Sequence, residues 1–354
     1  MEAWQIELQQ SIRTIERLEQ IFPVANVGQI RTALANMRLS ITPHTASLID
    51  FKNPNDPLFL ISVPQAKELY VSPEELEDPI GDSQKSPVAF LTHRYFDRAL
   101  VYTTFSCSNY CRFCFRRSKT GHANPGPSRK DIENIMAYLR SHNEINEVIL
   151  SGGDPFTLLD EQIEEWLALL RAIHSIKRIR FHTRVPVNLP SRITAKLVET
   201  LRRYQDPTHP IFIVTHFNHP REIAIQNIEA IARLVDAGIV VRNQSVLLQG
   251  VNDDAATLEK LFTTLTDIRV VPYYLHQLDL AKGTGHFRVP IKKGIVLMRS
   301  LQGRTTGIAL PRYMLDLPEG KGKIPLVHQF LHEKSDGSFL AEAPNGEMVP
   351  YIEP

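Results

Sequence analysis

Cysteine is scarce in this chain and confined to one place. Three occur in 354 residues, and all fall within eight positions, Cys107, Cys111 and Cys114 of the run CSNYCRFCFRR. An odd count with no distant partner excludes a disulfide framework. Neither charge sign is in excess, with 40 Lys and Arg against 39 Asp and Glu, so nothing points to nucleic acid or a membrane surface as a partner. Apolar runs of the ~20 residues needed to cross a bilayer are missing. The opening MEAWQIELQQSIRTIERLEQIF lacks the apolar h-region of a secretory signal. Reduced thiols therefore fit a cytoplasmic setting.

Hydrophobic residues make up 43% of the chain, enough for a substantial core, and the length allows one large α/β domain with extensions. Residues 1–90 read as an N-terminal helical region: Ile6, Leu8, Ile12, Ile15 and Leu18 recur at helical spacing as a packing face, and Pro57, Pro64, Pro73 and Pro79 break the rest of the region into short pieces. Strand-like runs then appear at 99–105, 147–150, 178–182, 211–216, 240–248 and 270–276, with helical spacing between them. This rhythm predicts parallel strands with helical crossovers. Six units suggest an open (β/α)6 partial TIM barrel over 91–305, with a complete eight-unit barrel or a doubly wound sheet as alternatives. Chemistry-bearing residues fall at strand C-terminal ends, where parallel barrels place active sites, and this favours a barrel. Residues 306–354 read as a C-terminal extension of loops and short strands covering the mouth or meeting another subunit.

Three thiolates at this spacing suit three irons of a [4Fe-4S] cluster and leave the fourth iron open to another ligand. Zinc would need a fourth donor, for which His122 is the nearest candidate, and unliganded buried cysteines are the third reading. One βα unit later, Ser151, Gly152, Gly153, Asp154 and Pro155 form a turn in which glycine permits close backbone approach. His216, Asn243 and Gln244 lie at two further strand ends. Taken alone, a strand-end His is a structural hydrogen-bonder and a Lys in a glycine-rich turn, such as Lys323, a solvated surface residue.

CxxxCxxC with Phe113 before its last cysteine resembles the signature of radical S-adenosylmethionine enzymes. CSNYCRFCFRR, SGGDP, THFNHP, NQSVLL, PYYLHQLD, KGTGHFRV and GKGKIPL, in that order between about Pro57 and Pro354, resemble the lysine 2,3-aminomutase family. The resemblance implies a [4Fe-4S] cluster on the three cysteines and S-adenosyl-L-methionine on its open iron. Ser151, Gly152, Gly153 and Asp154 would hold the methionyl amino group, and His216 and Gln244 the adenosyl part. It further implies pyridoxal 5'-phosphate on Lys323, with Lys321 the competing lysine and Glu319 and Lys321 departing from the usual glycines. Arg94 and Tyr95 would hold the cofactor's phosphate, and Arg98 reads as a surface salt-bridging residue. Arg116 would bind the substrate carboxylate, and Asp279 and Asp316 its distal ammonium.

These assignments predict an isomerase that moves the amino group of L-lysine from C2 to C3 after hydrogen abstraction by a deoxyadenosyl radical. Alternatives are supply of β-lysine for elongation factor P, another cationic substrate such as arginine or ornithine, or, in a different class, an iron–sulfur electron carrier that is not an enzyme. The expected partners are the amino acid, a low-potential donor of flavodoxin or ferredoxin type, and further copies of the chain. The zinc-binding cysteines usual near the family's C-terminus are absent.

Overall fold

Alternation of apolar strand and amphipathic helix produces a nine-stranded sheet whose spatial order follows the chain. The computed structural model describes residues 1–21, 27–120, 126–335 and 338–351. His122 lies outside them. The strands are β1 (Leu91–Tyr95), β2 (Arg98–Thr104), β3 (Glu147–Gly152), β4 (Arg178–His182), β5 (Ile211–Thr215), β6 (Val240–Leu247), β7 (Val271–Gln277), β8 (Arg312–Leu317) and β9 (Gly322–Pro325).

Strands β2 to β7 pair in parallel, each neighbour to the next, which is the six-unit partial barrel expected. The crossover helices form where their apolar faces require it. In Arg129–Ser141, for example, Ile135, Met136 and Leu139 are buried, while Ser128 and Asp131 cap its start reciprocally. Strand and helix side chains merge into one large core that includes Val148, Leu150, Phe181, Ile213 and Leu261.

Beyond the six units, β1 runs antiparallel to β2, β8 parallel to β7, and β9 antiparallel to β8. These three strands carry Arg94, Asp316 and Lys323, which line the cavity from the sheet's edges. The two edges of the sheet meet through a side chain: the Lys323 amide on β9 donates to the Tyr95 hydroxyl on β1 at 3.0 Å.

The N-terminal segment folds into short helices, Ala3–Gln9, Ile15–Glu19, Val27–Asn36, Pro43–Leu48 and Pro57–Ser62. The helical spacing from Ile6 to Leu18 is broken in the middle, because Ile12 pairs its backbone with Ile41 in both directions. Ile12, Ile15 and Leu18 are buried, whereas Ile6 is exposed. A second core joins Ile12, Leu18, Ile41, Leu58 and Ile61 to Phe113 of the cysteine loop and to Leu248 and Phe287 of the barrel. The N-terminal helices thereby hold the cysteine loop from above. At the other end of the chain, Leu331–Glu333, Phe339–Glu342 and Met348–Tyr351 form a small antiparallel sheet.

Candidate active site

A cavity of about 620 Å³ fills the barrel mouth and reaches into its interior. Each expected metal-, cofactor- and substrate-binding residue lines it. Asn243 is the exception: it is buried beneath the mouth, where it exchanges hydrogen bonds with the Phe217 backbone and donates to Ser245. It fastens β6 to the loop after β5 instead of facing the mouth.

The cysteine loop leaves β2 and crosses the mouth. Its position depends on the turn after β3. There Gly152 has φ 117°, and a Cβ on Gly153 would lie 2.3 Å from the Ser106 carbonyl oxygen. The Gly153 and Asp154 amides donate to the Thr104 and Ser106 carbonyls at 2.7 and 2.8 Å. The close approach that glycine permits here is to the chain's own backbone just before Cys107. Asp154 ties the same turn to β4, accepting from the Thr183 hydroxyl and the Arg184 amide, each at 2.6 Å. Burial pushes its carboxyl up to about 6, against those hydrogen bonds.

Cys107, Cys111 and Cys114 are free thiols. Burial raises the pKa of Cys107 and of Cys114, so deprotonation there needs a positive partner. At the third cysteine, Arg184 Nη1 lies 2.7 Å from Cys111 Sγ, and the same guanidinium pairs with buried Glu222. Among the described residues no three His, Cys, Asp or Glu side chains converge tightly enough for a single metal ion. Three thiolates suit three irons of a cubane, whereas a structural zinc site takes four protein donors.

On the opposite wall, Lys323 Nζ sits 2.5 and 2.6 Å from the two carboxylate oxygens of Asp316. Lys321 points outward and pairs with Glu319 at the surface. Glu319 itself holds φ 60°, the left-handed region that favours glycine. Burial opposes ionisation of Asp316, but the hydrogen bond from His276 and the charge of Lys323 hold its carboxyl below the ordinary range. Asp279 differs: its Oδ1 is buried without a hydrogen-bond partner, and burial, reinforced by Asp316, pushes its carboxyl up to about 7.

Arg94 and Arg116 share one buried carboxylate. Asp82 accepts from Arg94 Nη2 at 2.8 Å and from Arg116 Nε at 3.2 Å, and also from the Tyr102 hydroxyl at 2.7 Å. Arg94 additionally reaches Asp316 at 3.5 Å. Arg98 pairs with Asp97, and its guanidinium stacks 3.9 Å from the Tyr95 ring centre. Gln244 lies 2.5 Å from His216 Nε2 and 3.4 Å from His182 Nδ1. Burial lowers His216 to about 3, so this imidazole is neutral.

Sequence reasoning missed Asp82, His182, Arg184 and His276. Asp82 falls in an irregular turn, and the others lie in strands or strand ends read only for their apolar pattern. A polar residue at the C-terminal end of a barrel strand is the signal that would have found His182 and Arg184.

A partial barrel whose mouth carries three cysteines at x3 and x2 spacing defines the radical S-adenosylmethionine class, and residues 101–261 match the Radical SAM superfamily. Residues 298–354 match the family described as Lysine-2,3-aminomutase. The L-lysine 2,3-aminomutase of Methanococcus maripaludis is 42% identical, over 99% of this chain and 81% of its own length. That of Clostridium subterminale is 38% identical, over 99% and 84%. The glutamate 2,3-aminomutase of Clostridioides difficile is 36% identical, over 98% and 81%. The chain belongs to the lysine 2,3-aminomutase family of radical S-adenosylmethionine enzymes. No helix among the described residues is long and apolar enough to cross a membrane.

Proposed function

We propose that this chain is a pyridoxal-phosphate-dependent radical S-adenosylmethionine isomerase that converts L-lysine to L-β-lysine by moving the amino group from C2 to C3. The observation that carries the reading is the placing of Lys323, Asp279 and Asp316 in the same cavity as the three cysteines. When bound, the cluster with S-adenosylmethionine supplies a carbon radical, and pyridoxal phosphate supplies a carbonyl carbon for the migrating nitrogen.

In this proposal Cys107, Cys111 and Cys114 ligate the cluster, and the Arg184 guanidinium stabilises negative charge on Cys111 sulfur. Ser151 and the glycine turn line the wall for the methionyl group, with neutral His216 and Gln244 beside the adenosyl part. Lys323 holds the pyridoxal group, while Arg94 and Tyr95 meet its phosphate. Asp82 fixes Arg116 so that its remaining nitrogens face a substrate carboxylate. Asp279 and Asp316 would take the ε-ammonium: Asp279 has a free buried oxygen, and Asp316 already holds the ammonium of Lys323. Two carboxylates there oppose the acidic side chain of glutamate.

Residues 1–90 then cover the site, 91–305 carry the radical chemistry and 306–354 bring the cofactor lysine. The proposal also includes a cytoplasmic setting and a donor of flavodoxin or ferredoxin type. It includes assembly of copies as well, for which exposed Leu331, Met348, Val349 and Tyr351 of the C-terminal sheet supply apolar surface. Reconstituted protein given dithionite, S-adenosylmethionine and pyridoxal phosphate should turn over lysine well ahead of glutamate, arginine and ornithine, read by amino-acid chromatography. Preference for glutamate would overturn the assignment of the two aspartates.

A further inference from the structure

Cys107 differs from the other two cysteines in facing two cavities. Besides the barrel mouth, it lines a second hollow of about 690 Å³ on the outer side of the cysteine loop. Leu8, Leu34, Leu39 and Leu158 supply that hollow's apolar wall, and Arg13 and Arg38 its charge. Both arginines are exposed. Arg13 donates to the Leu8 carbonyl at 2.8 Å, and Glu16 on the same segment is already paired with Arg31. Among the described residues neither Arg13 nor Arg38 joins a carboxylate in an ion pair. Ser40, Ser106, Tyr110 and Thr157 complete a mixed lining whose only charges are those two arginines, and such a surface is complementary to a protein whose contact face is polar and acidic.

Electron transfer falls steeply with distance, so a protein donor must seat where the fewest atoms separate it from the acceptor. The Cys107 wall is such a place, because its other side is the cavity assigned to the cluster. We propose that this hollow is the docking face for a small acidic one-electron carrier, which reduces the cluster across Cys107. The inference rests on the radical aminomutase reading. In the step itself the carrier's reduced cofactor loses one electron and the cluster gains it, with no bond made or broken.

The test uses the full reconstituted chain with two reductants, reduced flavodoxin and dithionite. Changing Arg13→Glu and Arg38→Glu together should cut flavodoxin-driven lysine turnover at low salt by about tenfold or more, through a higher KM for flavodoxin. Dithionite-driven turnover should stay at the wild-type level. Salt should slow the wild-type flavodoxin reaction and scarcely affect the double variant. Should the double variant lose dithionite turnover as well, Arg38→Gln carries the same comparison with a smaller drop. Unchanged flavodoxin kinetics in either correctly folded variant would overturn the docking face. So would an equal drop on reversing Arg202, an exposed arginine elsewhere. Wild-type protein inactive even with dithionite would instead defeat the aminomutase reading.

Discussion

Lys323 and Asp316 form a closed ion pair across the β8–β9 register, with the ammonium 2.5 and 2.6 Å from the two carboxylate oxygens. The register sets the partnership, since Asp316 and Lys323 face each other in the antiparallel pair. The pair sets the Lys323 amine at the wall of the cavity that the cysteines also line. Lys323→Ala should therefore abolish the visible absorbance of the pyridoxal-bound protein. Lys321→Ala should keep it, because Lys321 pairs with Glu319 at the surface. The reverse pattern would move the cofactor to Lys321.

Asp279 should set the acid limb of lysine turnover. Its carboxyl is pushed up to about 7 by burial and by Asp316, and only the ionised form attracts the ε-ammonium. The ratio kcat/KM for lysine should rise as pH climbs through about 7. Asp279→Asn should remove that limb and lower kcat/KM by about ten- to hundredfold.

Stability should move the other way. A carboxyl with a raised pKa in the folded state costs nothing below its unfolded value near 4, and its penalty grows until pH passes the folded value. Thermal melts of Asp279→Asn should thus exceed wild type by more at pH 8 than at pH 5. An equal gain at both would show that Asp279 is not held protonated.

Arg184 should tune the cluster. Its guanidinium lies 2.7 Å from Cys111 Sγ, and a positive donor at a ligating sulfur favours the more negative, reduced state. Arg184→Met should retain iron and lower the reduction potential, read by electron paramagnetic resonance during a redox titration. A potential unchanged from wild type would remove Arg184 from this role.

The glycine turn should tolerate no side chain. Gly153→Ala would place a methyl group 2.3 Å from the Ser106 carbonyl oxygen, and forcing the strands apart should cost about 1–3 kcal/mol in denaturant melts. Iron incorporation should fall with it, because the same backbone positions Cys107. Wild-type stability with full iron loading would mean that the turn is not what seats the loop.

Much of this fold is legible in the sequence because β2 to β7 alternate with amphipathic helices and their core-facing residues, such as Val148, Leu150, Ile179 and Phe181, are apolar. β1 and β9 escaped because they lie outside that alternation, pairing antiparallel at the sheet's edges, and β8 because it sits in a Gly- and Pro-rich stretch. The site was legible through motifs at strand ends. Its supports were not: Asp82 holds two arginines from an irregular turn, and Arg184 reaches Cys111 from 73 positions away. Neither contact leaves any periodicity to detect. Asn243 shows the converse, since a polar residue at a strand end can face its own loop.

The most direct measurement tracks the nitrogen itself. L-lysine carrying 15N at the α-amino group and 13C at C3 is incubated anaerobically with the reconstituted protein, dithionite and S-adenosylmethionine, and the product is read by 13C nuclear magnetic resonance. The migration from C2 to C3 predicts a new one-bond coupling between the labelled carbon and nitrogen. Product in which C3 stays uncoupled, or lysine recovered unchanged while S-adenosylmethionine is cleaved, would contradict it.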